Sequence, residues 1–117
     1  MGDFKQLKVW KLARELAVAI YQITGDSPFQ KDFGLRDQMR RSAISVSSNI
    51  AEGDNLDTNR QSIKHFYIAR GSVAELQTQL LISYDIGYIN DLKLAELENQ
   101  CEMVSAMLTG LIRYRSK

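Results

Sequence analysis

Histidine, cysteine, proline and tryptophan each occur once in this chain of 117 residues. The single cysteine, Cys101, cannot form an intrachain disulfide and fits a reducing compartment. The single histidine, His65, leaves no His-x-x-x-His spacing, and no Cys-x-x-Cys pair occurs, so a zinc site is not expected. Ser62 stands three before His65, so the Glu-x-x-His pattern of metal-binding bundles is missing too. With Pro28 alone, the long proline-free stretches suit helices and suit all-β folds poorly. No run approaches the ~18 consecutive apolar residues of a membrane span. The start, MGDFKQLKVW, lacks the apolar core of a signal peptide. Met1-Gly2 departs from a myristoylation signal, because Gln6 stands where Ser or Thr is needed. Charge is nearly balanced, with 15 Lys and Arg against 14 Asp and Glu, so the total gives no pull toward nucleic acid or membrane. The expectation is a cytoplasmic protein of one domain, residues 1–117, with no cofactor, no metal and no membrane contact.

What the chain does have is helical periodicity, in four segments. The first runs from about Phe4 to Thr24. Its apolar residues, Val9, Trp10, Leu12, Ala13, Leu16, Ala17, Ile20, Tyr21 and Ile23, cover more than the roughly 100° stripe one core requires. The surplus predicts a second contact surface. Gly25-Asp26-Ser27-Pro28 ends this helix in the usual order of glycine, then proline. The second helix starts between Gln30 and Gly34 and ends near Gly53. Leu35, Met39, Ala43, Val46 and Ile50 share one face. Ser42, Ser45, Ser47, Ser48 and Ala51 fill much of the remainder, and side chains this small admit a close neighbour.

The third helix runs from about Asn59 to Ile86. Thr58 and Gln61 are spaced for a capping box. Ile63, Phe66, Ala69, Val73, Leu76 and Leu80 make its stripe. Gly71, mid-helix, costs about 1 kcal/mol against alanine and reads as a crossing point where another backbone comes close. Asn90 is a natural N-cap for the fourth helix. There Leu94, Leu97, Cys101, Val104, Leu108 and Leu111 form a heptad seam. Short loops favour antiparallel neighbours. The expected fold is therefore all-α, an antiparallel up-down-up-down four-helix bundle.

No catalytic constellation is visible, and a non-enzymatic protein is expected. Cys101 lies on the apolar seam and reads as a small hydrophobe. Glu52 and Glu75 have no visible pocket or partner and read as capping or ion-pair residues. The basic residues are more informative. Lys5, Lys8, Lys11 and Arg14 step by three along the first helix, and Arg36, Arg40 and Arg41 cluster on the second. Arg113, Arg115 and Lys117 close the chain, where cations suit a helix C-terminus. Each group alone reads as a solvated face. Pooled over several subunits they would form a phosphate-binding rim, since each neutralised phosphate releases a counterion. The candidate RNA or DNA contacts are Lys5, Lys8, Lys11, Arg36, Arg40 and Arg41. In the alternative, a protein-binding scaffold, Asp3, Glu15 and Asp37 interleave with them and cancel the positive patch.

The stretches FKQLKVWKLARELAVAIY, FGLRDQMRRSAISVSSNIAEG, FYIARGSVAELQTQLLISYDIGYI and MLTGLI span nearly the whole chain. In this order and spacing the chain resembles the bacterial four-helix-bundle family of 23S rRNA intervening-sequence proteins. The resemblance implies a bundle that assembles with copies of itself into a ring, a homopentamer. A related branch, the accessory protein of diversity-generating retroelements, binds nucleic acid and partners a reverse transcriptase. This chain departs from that strongly basic branch in its balanced charge. Gln38, Arg40, Arg41, Asn49, Glu52 and Gly53 match the family signature, as do Arg70, Gly71, Ser72 and Glu75. The first reading of these is structural: Arg41 or Arg70 paired with Glu52 or Glu75, and Asn49 satisfying backbone groups at a tight crossing.

Overall fold

The computed structural model describes residues 3–117; Met1 and Gly2, with the myristoylation question, lie outside the described residues. Four helices account for most of it: α1 (Lys8–Thr24), α2 (Phe33–Asp54), α3 (Asn59–Asp85) and α4 (Asp91–Arg115). One-turn 3-10 segments at Phe4–Gln6 and Phe29–Lys31 precede α1 and α2. The first helix therefore starts four residues later than its apolar pattern predicts. The Asp3 carboxylate accepts the Lys5 amide proton (3.1 Å) and closes a separate turn, after which Leu7 is extended. Asp32 caps α2 through the Leu35 amide (3.2 Å), Thr58 caps α3 through Gln61 (3.3 Å), and Asn90 caps α4 through Lys93 (2.8 Å). Each supplies an acceptor to a helix N-terminus that has unpaired donors.

The helix ends differ in one respect from the pattern. Gly25 caps α1 in the right-handed region (φ −78°), so its glycine character is not used there. The left-handed glycine is Gly87 (φ 83°) after α3. Its amide donates to the Tyr84 carbonyl (3.0 Å) and the Tyr88 amide to the Ser83 carbonyl (2.8 Å), the paired bonds of a Schellman stop.

The core is one cluster. Met39, Ala43, Val46 and Ile50 of α2 meet Phe66, Ala69, Val73, Leu76 and Leu80 of α3, with Ala13, Leu16 and Ile20 of α1 and Leu97, Cys101, Val104 and Leu108 of α4. Each helix touches its two neighbours, and neither the α1–α3 nor the α2–α4 diagonal is in backbone contact among the described residues. The helices thus stand at the corners of a square, consistent with the 44 × 21 × 20 Å envelope. The α2–α3 seam is the most extensive and the α1–α4 seam the least. Along α2, residues 39, 45 and 49 meet residues 83, 72 and 65 of α3 in descending order. Along α3, Arg70, Gln77 and Tyr84 meet Thr109, Glu102 and Asp91 of α4 in the same opposed sense. No helix among the described residues is long and apolar enough to cross a membrane.

The close approach sits at a different glycine from the one expected. Gly71 is exposed, and a Cβ there would meet nothing within 4 Å. At Gly53 a Cβ would lie 2.8 Å from Phe66 Cε1 and 3.0 Å from His65 Cβ. Gly53 is the residue that lets the end of α2 rest on α3. Gly53→Ala should lower stability by about 1–3 kcal/mol through overpacking. Gly110→Ala, in α4 with open space at the Cβ, should raise it by about 0.5–1 kcal/mol. Denaturant unfolding of the two variants measures both signs.

Candidate nucleic-acid interface and the α2–α3 cleft

The expected basic cluster on α2 comes apart in three dimensions. Arg36 is half-buried, bonds Asp37 through Nε (3.0 Å) and lies over the Phe33 ring (4.8 Å). Arg40 donates from Nε to Thr24 Oγ1 (2.9 Å) and covers the Tyr21 ring (4.4 Å). It holds the end of α1, where a cation also meets the negative end of the helix dipole. Both guanidinium groups therefore have partners within the subunit. Arg41 is exposed on a different face, beside α3.

Of the expected α1 ridge, Lys8, Lys11 and Arg14 lie on α1, and Lys5 falls in the separate turn Phe4–Gln6 before the extended Leu7. Lys5, Lys8, Lys11 and Arg14 are all exposed, and none has an ion-pair partner among the described residues. Lys5, Lys11 and Arg14 border a groove of about 850 Å³ between α1 and α4, with Trp10 and Val18 in its wall. Arg14 stacks over Trp10 (5.7 Å), whose ring meets Phe4 edge-on (5.2 Å). Glu15 and Glu96 also line this groove, so its charge is mixed. The two other interleaving acids are engaged elsewhere, Asp3 as a cap and Asp37 with Arg36.

Part of the signature, Gln38, Arg41, Asn49, Ser72 and Glu75, gathers at the α2–α3 seam. Gln38, Arg41, Ser42, Ser45, Ser72 and Glu75 enclose a cleft of about 220 Å³. The Ser45 and Ser72 hydroxyls are hydrogen-bonded across it (2.8 Å). One turn on, the Asn49 amide donates to the Ser45 carbonyl (2.9 Å), and Asn49 Oδ1 faces His65 Nδ1 (3.0 Å). With the amide nitrogen so used, Oδ1 is the acceptor and Nδ1 carries the proton. Glu52 stands 3.8 Å from the same nitrogen.

The predicted pairing of Arg41 or Arg70 with Glu52 or Glu75 does not form. Arg70 donates to Thr109 Oγ1 (3.2 Å) and covers Tyr67 (4.9 Å), tying α3 to α4. Glu52 faces His65, and Arg41 and Glu75 stay exposed without an ion pair. The buried ion pair is one that sequence reasoning missed, Asp54 to Arg115 (2.6 Å). Asp54 is 2 % exposed, and Arg115 also covers the Phe66 ring (5.5 Å). The pair joins the end of α2 to the end of α4 across 61 residues. Its one sequence signal was an acid directly after Gly53 together with a base in the final turn.

Cys101 is fully buried, and that burial, with Glu98 and Glu102 adding to it, pushes its thiol up to about 12. Burial, with Glu102 nearby, also raises the Glu98 carboxyl. A neutral thiol in an apolar wall is chemically inert.

Four helices around one apolar core, with no strand among the described residues, define an all-α protein of the four-helix-bundle class. Residues 5–110 match the family described as 23S rRNA-intervening sequence protein, and the chain belongs to that family. It is also similar to a crystal structure from Bacteroides thetaiotaomicron, a protein of unknown function from the S23 ribosomal protein family. Identity is 24%, the match covers 89% of this chain and 97% of that one, and the TM-score is 0.82. At that identity the likeness shows the fold alone. None of the curated proteins matches the chain.

Two outcomes follow for this region. Arg115→Ala strands the Asp54 carboxylate in the core and should cost about 3 kcal/mol by chemical denaturation. Cys101 should resist thiol reagents in the native protein at pH 8 and react only on unfolding. Folding holds the thiol proton more tightly, so this contribution to stability is fully present below the ordinary thiol value. It is lost as pH climbs from there toward about 12.

Proposed function

We propose that this protein is a non-enzymatic, cytoplasmic accessory factor. In this reading its up-down-up-down bundle assembles with copies of itself into a homopentameric ring and associates with RNA or DNA through α1. The observation that carries the nucleic-acid reading is the set Lys8, Lys11 and Arg14 on α1, with Lys5 in the turn before it, all exposed and without an ion pair among the described residues. Cations at this spacing track a phosphate backbone without reading bases. Repetition around a ring would multiply a patch that is weak in one subunit. The family's description, which refers to 23S rRNA, is in keeping with an RNA partner. Arg36 and Arg40 are left out of the contact set because both are engaged within the fold.

A second reading rests on the acids Glu15 and Glu96 in the same groove as Lys11 and Arg14. A groove of mixed sign suits a protein surface, such as that of a reverse transcriptase, better than a phosphate chain. Anisotropy of a labelled structured RNA, titrated at several salt concentrations, separates the two. The nucleic-acid reading expects affinity to fall linearly with log salt, by about 0.9 in slope per phosphate contacted. Lys8→Glu with Lys11→Glu should reduce that slope by about two. An affinity indifferent to salt, or no binding at low salt, sinks it in favour of the protein scaffold.

A further inference from the structure

The groove between α1 and α4 holds more than cations. It opens at the least extensive of the four helix seams. Trp10, the one tryptophan of the chain, stands half-buried in its wall. Phe4 meets the edge of that ring (5.2 Å) and steadies it. Arg14 lies over the ring at 5.7 Å, near the ~6 Å outer limit of a cation–π contact. Arg14 is exposed and has no ion pair among the described residues, so this cover can be lifted.

Acceptors gather in the same groove. Glu15 borders it from α1 and Glu96 from α4. Glu96 receives a proton from Lys93 at Oε2 (3.2 Å), a bond that does not use Oε1. Gln100 Oε1 is buried in the same wall and has no hydrogen-bond partner among the described residues. A buried acceptor without a donor is costly and uncommon in folded proteins.

We infer that this groove takes an unpaired guanine of a single-stranded nucleic acid, stacked on Trp10, with the neighbouring phosphates on Lys5 and Lys11. The inference rests on the nucleic-acid part of the proposed function and names the strand state and the base. A base inside a duplex is covered on both faces, and its pairing edge is taken. An extruded base offers a face to an aromatic ring and its pairing edge to side chains. The acceptors then select guanine. Its ring N–H and its amino group are adjacent donors on one edge, which a carboxylate can accept together. Adenine and cytosine set one amino donor beside a bare ring nitrogen, and uracil sets one N–H between two carbonyls. Those acceptors would face a carboxylate and be repelled. Glu15 and Glu96, which weaken a purely phosphate-binding groove, gain partners in this arrangement. The turn Phe4–Gln6 brings Lys5 to the groove beside Lys11. Phosphate contacts hold the strand and base contacts specify it. At about 850 Å³ the groove falls within the roughly 300–1,000 Å³ of ligand pockets.

Trp10 fluorescence in the full chain tests this, excited beyond tyrosine absorption. The titrant is a uridine-tract RNA carrying one guanosine. It should quench Trp10 and bind about tenfold more tightly than the plain uridine tract, or than the same strand with inosine, which lacks the amino group. Its duplex with the complementary strand should leave Trp10 emission unchanged. Glu15→Gln with Glu96→Gln, both at exposed positions, should erase the guanosine preference while tightening the plain uridine tract. Trp10→Leu, its fold checked by circular dichroism, should weaken the labelled guanosine strand about tenfold by anisotropy, and Trp10→Phe should recover most of that. Salt-dependent binding with Trp10 unquenched and no guanosine preference overturns this site and leaves the nucleic-acid reading standing. A preference that persists in the double Glu→Gln variant, or a duplex that quenches as the single strand does, overturns it as well. Free guanosine monophosphate competing as well as the strand makes this a mononucleotide site and overturns the strand assignment. No binding at low salt overturns the site together with the reading beneath it.

Discussion

The rest of the structure hangs on the approach of α2 to α3. Gly53 permits it at one end, where the Phe66 ring fills the space a side chain would take. Ser45 and Ser72 permit it in the middle, by being small and by bonding one another. Met39 and Ser83 close the other end. Interior packing is nearly crystalline in density, so a spacing fixed at three points leaves little freedom between them. Val46, Ile50, Val73 and Leu76 interlock only at that separation. The flanking helices then pack into grooves whose width the central pair has already set.

Much of this was legible in the sequence. Heptad-like spacing marked the inward faces of all four helices, and Asn90 and Thr58 marked two helix starts, because caps act over three residues. The misses have a common physical cause. Gly71 and Gly53 look alike in sequence, both helical glycines beside an acid or a serine. Only the inter-helix distance separates a glycine that is filled from one that is open. The same holds for the cations. Arg40 and Arg41 are adjacent, yet about 100° of helical rotation sends one to Thr24 and Tyr21 and the other to the α2–α3 cleft. Lys8, Lys11 and Arg14, spaced by three on α1, turn by about 60° at each step and all stay in solvent, while Lys5 leaves the row because Leu7 is extended.

The candidate sites follow the same logic less completely. Signature residues separated by 31 to 37 positions, Gln38 and Arg41 from Ser72 and Glu75, meet in one cleft because the α2–α3 register brings them level. Their pairing could not be read, since register decides which acid faces which base. The register instead gives His65 to Asn49 and Glu52, and leaves Arg41 and Glu75 open. The ion pair that does form, Asp54 with Arg115, depends on where two helices end, which is among the least local properties of a chain.

Near-neutral net charge conceals how unevenly the cations are used. Arg36, Arg40, Arg70 and Arg115 each lie over an aromatic ring and also bond a side chain, so they serve as packing residues with a polar tip. Arginine suits that role, because its planar head stacks and donates at once, whereas the compact, strongly hydrated ammonium of lysine stays in water. The division of labour is visible on the helices: Arg40, Arg70 and Arg115 tie helix ends and seams together, and the lysines of α1 remain outside. A surface on which only flexible lysines and Arg14 are unclaimed can attract phosphate without ordering it. Sequence-independent attraction is the behaviour such a surface supports.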